Sequence, residues 1–425
     1  MMRATTIVSD LVSRVSDLGL ALMPQSGGRA TLIDRCNVLV SGKGEATSLA
    51  LARDILDRYQ ALEPQARGGF FVALAQRFGV DEDRMLEAAQ AWTDDPSDTT
   101  ARALHAASEP RAQELIRRLN RAPGGTQALV AMRADLLKIL RDHPETAALD
   151  GDFSHLFSSW FNRGFLTLRH IDWHTPAVVL EKIIAYEAVH EIQGWDDLRR
   201  RVGAPDRRLY AFFHPALPDE PLIFVEVALT AEIPRAIGPI LEGANPMAGK
   251  EARTAVFYSI SNCQPGLRGI SFGNFLIKTV VEELRAEFRR LETFVTLSPV
   301  PGLRAWAESE AAAKVLSGED REALAAGAPP PPELLSRITA KFLVQARSPR
   351  GGPVDPVARF HLGNGARLEQ VNPEGDASPG GIEASWGAMV NYLYDLDRIE
   401  RNHEAFANEG TIAFSPAIQK LIKSK

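Results

Sequence analysis

The stretch that decides the fold runs Ala255-Val256-Phe257-Tyr258-Ser259-Ile260-Ser261-Asn262-Cys263-Gln264-Pro265-Gly266-Leu267-Arg268-Gly269-Ile270-Ser271-Phe272-Gly273-Asn274-Phe275-Leu276. Its first six residues have the length and β-branched, aromatic character of a strand. Gly266, Gly269 and Gly273 then mark a turn. Beyond it Phe275, Leu276, Val280, Val281 and Leu284 recur at helical spacing on one face. In such a strand–turn–helix unit, glycines let backbone amides face inward and the helix N-terminus adds partial positive charge. That suits a pyrophosphate, although a plain strand–loop–helix connection has the same outline.

On either side, residues 209–214, 222–230, 254–260 and 293–297 each read as strands, with a helix between the third and fourth. This predicts an α/β sheet. Upstream the period changes. Leu115, Ile116 and Leu119, then Leu129, Met132, Leu136 and Leu140, recur every three or four residues, as do Ile55, Leu56, Tyr59 and Leu62. Pro123-Gly124-Gly125-Thr126 separates two of these helices. The expectation is an all-helical bundle over residues 1–175, for packing and oligomerisation, and a catalytic α/β domain over 176–425. Thr175-Pro176 opens the first helix of the second domain with a capping side chain. The prolines at 329–332 make a stiff connector, and residues 367–371 read as one more strand.

The chain has 425 residues, 45% of them apolar and 24% charged, which fits a globular protein of two domains. A net charge of -6 argues against nucleic acid as a partner. Two distant cysteines, Cys36 and Cys263, suggest a reducing compartment. Apolar runs fall short of a membrane span, and residues 1–23 lack the character of a signal or transit peptide. The expected location is cytoplasmic. His170 and His174 have metal-ligand spacing on a helix but no supporting carboxylate motif, so no metal is expected. There is no Gly-x4-Gly-Lys-Ser/Thr loop.

Two further segments carry chemistry. In Thr296-Leu297-Ser298-Pro299-Val300-Pro301-Gly302 a serine stands at a strand's carboxyl end, where open α/β sheets bind ligands; an isolated Ser-Pro also serves simply as a cap or turn. In Asp355-Pro356-Val357-Ala358-Arg359-Phe360-His361-Leu362-Gly363-Asn364-Gly365-Ala366 a histidine sits in apolar surroundings. Such a residue is either a satisfied core group or a proton donor and acceptor.

Residues 268–273, Arg268-Gly269-Ile270-Ser271-Phe272-Gly273, resemble the pantetheine- and pyrophosphate-binding turn of the GNAT acetyltransferases, with Ser271 in place of the middle glycine. The longer string, Phe257-Tyr258-Ser259-Ile260-Ser261, Gly266-Leu267-Arg268-Gly269 and Gly273-Asn274-Phe275-Leu276-Ile277-Lys278, resembles the malonyl-CoA decarboxylase family more specifically. So do Leu297-Ser298-Pro299-Val300-Pro301-Gly302 and the segment around His361. The resemblance is dense from Ser159-Trp160-Phe161 to Tyr394.

It implies an acetyltransferase-like catalytic domain and decarboxylation of malonyl-CoA to acetyl-CoA and CO2, in fatty-acid or malonate metabolism, by a carboxy-lyase. Ser298 and His361 become the catalytic pair. Ser259, Arg268, Gly269, Ile270, Ser271, Phe272, Gly273, Asn274 and Tyr394 become substrate-binding residues. No cofactor beyond the substrate's own coenzyme A is implied, and a homo-oligomer forms through the helical domain. In animal members an acidic residue stands at the position of Ser271; Glu226, one strand earlier, is the substitute expected here. The competing readings are a CoA-dependent N-acyltransferase and a non-catalytic acyl-CoA sensor.

Overall fold

A computed structural model describes residues 31–42, 44–243, 249–270, 276–325, 329–349 and 351–423. The described residues divide into two compact units. One comprises those within Met1–Leu166, His214–Pro218 and Gln264–Ser271; the other comprises those within Thr167–Phe213, Asp219–Cys263 and Phe272–Lys425.

The first unit is helical, as its periodicity predicts. Its helices are α1 (Leu32–Ser41), α2 (Glu45–Gln60), α3 (Pro64–Arg77) and α4 (Glu82–Asp94). They continue as α5 (Asp98–Ser108), α6 (Arg111–Asn120), α7 (Gly125–Ile139) and α8 (Ala147–Trp160). The apolar stripes read from the sequence are the buried faces: Ile55, Leu56 and Tyr59 on α2, Leu115, Ile116 and Leu119 on α6, Leu129, Met132 and Leu136 on α7. Helix α4 differs, because none of its residues is buried.

Residues 264–270 belong to this unit through two contacts. At Gly266 a Cβ would collide with the Val130 carbonyl oxygen and lie 2.8 Å from its carbon, so only glycine permits the approach to α7. Arg133, on the same helix and 3% exposed, donates to the Gly266 and Arg268 carbonyls at 2.7 and 2.9 Å. Its remaining donors go to Asp150 and Ser154, at 2.8 and 2.9 Å.

The second unit is built on one mixed sheet of eight strands. They are β1 (Thr167–Ile171), β2 (Arg207–Phe213), β3 (Ile223–Thr230), β4 (Thr254–Asn262), β5 (Thr293–Thr296), β6 (Ser298–Pro299), β7 (Arg367–Asn372) and β8 (Met389–Leu393). The order is β1-β2-β3-β4-β5-β8-β6, with β7 also on β8. Among these strands β4 and β5 alone pair in parallel, and the helix α11 (Leu276–Glu287) is their crossover; the helices before it in this unit include α9 (Ala177–Tyr186) and α10 (Trp195–Gly203). Strands β2 to β5 are buried almost continuously, as strands covered on both faces must be. Val179, Leu180 and Ile183 of α9 and Leu198 and Val202 of α10 pack with Leu209, Ala211 and Phe213 of β2.

The fold class, a helical region followed by a mixed sheet flanked by helices, is the one expected. The boundary at 175 is not. The sheet already begins at Thr167, and two later segments join the helical unit. Strand β1 escapes the sequence pattern because it lies at the sheet's edge: of its five residues only Ile171 is buried, so apolar alternation is absent. His170 lies in this strand, its ring tilted against that of Tyr210 at 5.4 Å between centroids, which removes the helical spacing to His174. The Thr175 hydroxyl accepts from the Asp172 amide at 3.1 Å instead of capping α9, whose N-cap is Pro176.

Candidate active site

The second unit holds a cavity of about 250 Å³ whose wall includes Ser259, Ser298 and His361. Local sequence places each of them. Ser259 lies near the end of β4, and Ser298 opens β6 one residue beyond β5, where Pro299 restricts its backbone. His361 sits on α12 (Pro356–Gly363). Asp355 caps this helix by accepting from the Ala358 amide at 2.7 Å, and Pro356 occupies its first turn. Beyond the cap residue Asn364 the chain turns away from the helix at Gly365, where φ is +82°. There the Gly365 amide reaches the Leu362 carbonyl at 3.0 Å and the Ala366 amide reaches that of His361 at 3.1 Å.

His361 is 4% exposed and touches polar groups at both ring nitrogens. Nδ1 meets the Tyr394 hydroxyl at 2.7 Å, and Nε2 meets Ser298 Oγ at 3.2 Å. The Ser298 hydroxyl donates to Thr296 Oγ1 at 2.9 Å, and the Tyr392 amide donates to that same oxygen at 3.1 Å. Ser298 has a single proton. With that proton on Thr296, the Nε2–Ser298 bond needs its hydrogen from the ring, which assigns the Nε2–H tautomer with Nδ1 accepting from Tyr394. The hydrogen bonds then run in one direction, Tyr394 to His361 to Ser298 to Thr296. Tyr392 stacks on the imidazole, with ring centroids 4.7 Å apart and planes 23° off parallel.

Burial pushes the His361 imidazolium down to about 3, so the ring is neutral at physiological pH. Burial also raises Tyr394 well above the ordinary phenol range. One consequence concerns stability. The unfolded chain takes up a proton on this histidine below about 6.5, whereas the folded chain does not until about 3. Stability from this group is therefore full above pH 6.5 and lost as pH falls. At pH 5 the loss is about 2 kcal/mol relative to a His361→Asn variant, which has nothing to titrate there. Thermal unfolding of both proteins at pH 7 and pH 5 measures it; parallel pH dependences would contradict the neutral histidine.

Of the residues singled out from sequence, the structure brings Ser259, Ser298, His361 and Tyr394 together. Arg268, Gly269 and Ile270 lie in the helical unit, where Gly269 has φ +81°. Ser271, Phe272, Gly273 and Asn274 are outside the described residues, as is Phe275. The expected substitute, Glu226, does not serve His361. It is fully buried in β3, its Oε2 is bound by Arg201 at 3.0 Å, and burial raises it against the pull of that guanidinium. Arg201 in turn holds Asp197 and the carbonyls of His190 and Glu191.

Three contributors are missed by sequence reasoning. Thr296 and Tyr392 were within reach of it, since Thr296 and Ser298, and Tyr392 and Tyr394, are two residues apart along extended chain and so share a face. Glu187, which binds Ser259, lies in a connection 72 residues away, and nothing local announces it.

Comparisons with known proteins agree over most of the chain. The model of the malonyl-CoA decarboxylase C-terminal domain matches residues 164–425, and that of the N-terminal domain matches residues 78–161. The mitochondrial malonyl-CoA decarboxylase of Anser anser anser is 35% identical over 415 residues, covering 86% of this chain and 81% of that protein. The Rattus norvegicus protein of the same name is 34% identical over 420 residues, 87% and 84% of the two chains. A crystal structure of malonyl-CoA decarboxylase from Rhodopseudomonas palustris superposes with a TM-score of 0.87 at 51% identity, covering 92% of this chain and 98% of that one. With family models spanning both halves and this likeness in sequence and structure, the chain belongs to the malonyl-CoA decarboxylase family.

Proposed function

We propose that Ser298 and His361 carry the decarboxylation of malonyl-CoA to acetyl-CoA and CO2 in the cavity beside β4. The observation that supports this reading most is the directed chain Tyr394–His361–Ser298–Thr296 at the cavity wall. Malonyl-CoA carries its carboxylate beta to the thioester carbonyl. When the carbon–carbon bond breaks, the electron pair spreads onto the thioester oxygen, so the substrate is its own electron sink and no further cofactor is required. The protein supplies a donor where that charge develops and a proton for the new carbanion.

A neutral His361 fits both tasks. An imidazolium would attract the substrate's carboxylate and so stabilise the ground state, whereas an imidazole N–H gains most as the oxyanion forms. When substrate binds, the Ser298 hydroxyl turns its single proton from Thr296 to that oxygen and becomes the second donor. The carbon takes its proton from Nε2, directly or through a water, and solvent replaces it. Tyr394 holds Nδ1 as an acceptor and keeps the Nε2–H directed toward Ser298. The turn at 268–274 is the proposed seat of the CoA pyrophosphate.

Purified protein given malonyl-CoA without any amine should release CO2 and acetyl-CoA in equal amounts. Release that depends on an added amine would instead make it an acyltransferase; no release and retained acyl-CoA binding would make it a sensor. The rate profile supplies a second check. Because His361 is neutral well below pH 6.5, kcat/KM should show no break near that value, and a break there that disappears in His361→Asn would contradict the mechanism.

We further infer a homo-oligomer assembled through the helical unit. Supporting it, α4 buries none of its residues, and Leu86 and Trp92 on it are 64% and 43% exposed. A cytoplasmic location and the absence of a nucleic-acid partner complete the proposal. Among the described residues no helix is long and apolar enough to cross a membrane.

A further inference from the structure

The wall of the cavity contains one polar group whose orientation is fixed by a residue outside the catalytic pair. Ser259, 2% exposed, donates its hydroxyl proton to both oxygens of Glu187, at 2.7 and 2.9 Å. Glu187 is anchored from every side. Its Oε1 also accepts from the Val189 and His190 amides, both at 2.8 Å, and its Oε2 accepts from the Ser261 hydroxyl at 3.1 Å. Ser261 is itself held, accepting from the Ala188 amide at 3.3 Å. The carboxylate thus ties the connection after α9 to β4, and Val189 on that connection also lines the cavity.

A serine has one proton and two lone pairs. With the proton committed to Glu187, the Ser259 oxygen has only lone pairs left for the cavity. Among the described residues of the wall none is a lysine or arginine, and His361 is neutral. The substrate's carboxylate therefore meets no cation on these residues, and at Ser259 it meets no donor. At Ser259 the arrangement is the reverse of an ordinary carboxylate site, where donors and cations converge on the anion. It suits a reaction in which the carboxylate must lose its charge, because interactions that hold the ground state slow the departure of CO2.

We propose that Glu187 is a positioning residue that keeps the Ser259 hydroxyl turned out of the cavity, so that the departing carboxylate is left without a hydrogen bond there. The proposal rests on the reading of this cavity as the site of malonyl-CoA decarboxylation. Release of CO2 from malonyl-CoA by the unaltered protein tests that reading separately, before any variant is compared.

The test uses Glu187→Gln, Ser259→Ala and the double variant in the full chain, with turnover of malonyl-CoA as one readout. The other readout is binding of two non-reacting thioesters: acetyl-CoA, and a malonyl-CoA analogue with a sulfonate in place of the carboxylate. In Glu187→Gln the amide can donate to Ser259, which frees the serine proton for the cavity. Expected are a kcat lower by about tenfold, a KM lower by several-fold, and tighter binding of the sulfonate analogue with acetyl-CoA unchanged; one hydrogen bond to a charged group is of that size.

The double variant should match Ser259→Ala rather than Glu187→Gln in binding of the sulfonate analogue, because without the serine no proton is freed to hold it. A Glu187→Gln protein that binds both thioesters more weakly, or that matches the unaltered protein in every readout, overturns the proposal. Loss of more than about a hundredfold in Ser259→Ala also overturns it, because the hydroxyl would then be donating to substrate. That last measurement stands even if Glu187→Gln does not fold.

Discussion

Replacing His361 with asparagine should lower kcat/KM for malonyl-CoA by about a thousandfold or more, and Ser298→Ala by about a hundred- to a thousandfold, the range seen when a preorganised donor to a developing oxyanion is removed. The two losses should not add. The residues share one hydrogen bond, at 3.2 Å, and act on the same oxygen, so the double variant is expected to fall near the worse single variant. Acetyl-CoA binding should change little in either protein, since neither side chain is on the turn proposed to seat the CoA pyrophosphate.

Some stability will go with His361. Tyr394, 2% exposed, loses its acceptor, and an unpaired buried hydroxyl costs about 1–3 kcal/mol. Trapped CO2, acetyl-CoA affinity and thermal unfolding separate these effects. Turnover within tenfold of the unaltered protein in both single variants would remove the pair from the mechanism.

A larger structural penalty is expected at Gly365. The residue has φ +82°, and a Cβ there would collide with the Ile399 carbonyl oxygen and come within 2.9 Å of its carbon. Ile399 begins a helix (Ile399–Glu409) from which Asn402 donates to the Gly365 carbonyl at 3.1 Å, so the opposing backbone is held in place. Gly365→Ala combines left-handed strain with a backbone collision, and about 3 kcal/mol or more of stability should be lost. The activity should fall as well. Gly365 closes the helix that carries His361, and any shift of that end changes the Nε2–Ser298 geometry. A variant with unaltered melting temperature and unaltered turnover would show that the Asn-Gly-Ala turn has no part in setting the histidine.

The parts of this molecule that the sequence discloses are those encoded by local pattern. The buried stripes of α2, α6 and α7, and strands β2 to β5, follow from apolar spacing because each buries its face against its own unit. Ser298 and His361 were legible because distinctive proline- and glycine-bearing strings surround them. Strand β1 was hidden by its edge position, which leaves Thr167, Arg169 and His170 exposed. Ser259 was identifiable but its partner was not. Hydrogen bonds such as Ser259–Glu187 and Arg201–Glu226 join residues 72 and 25 positions apart, and long-range pairing of polar groups leaves no period to detect. Glu226 drew attention because a carboxylate in a buried strand invites a catalytic role; what it neutralises is Arg201.

The approach of Gly266 to Val130, with Arg133 bound to the carbonyls of residues 266 and 268, also has a consequence for the order of events as the chain is made. The two bonds span 133 and 135 residues. Helices α1 to α8 are complete by Trp160, yet a guanidinium buried among them lacks two of its acceptors until more than a hundred further residues have left the ribosome. Domains ordinarily fold in turn from the N-terminus during synthesis. Here the first half must wait, with Arg133 paired to Asp150 but short of two carbonyl acceptors and the surface meant for residues 264–270 uncovered, until β4 has emerged. Contacts at such separation slow folding and prolong exposure to aggregation. A fragment ending near residue 166 should therefore be less soluble than the same helices within the whole protein.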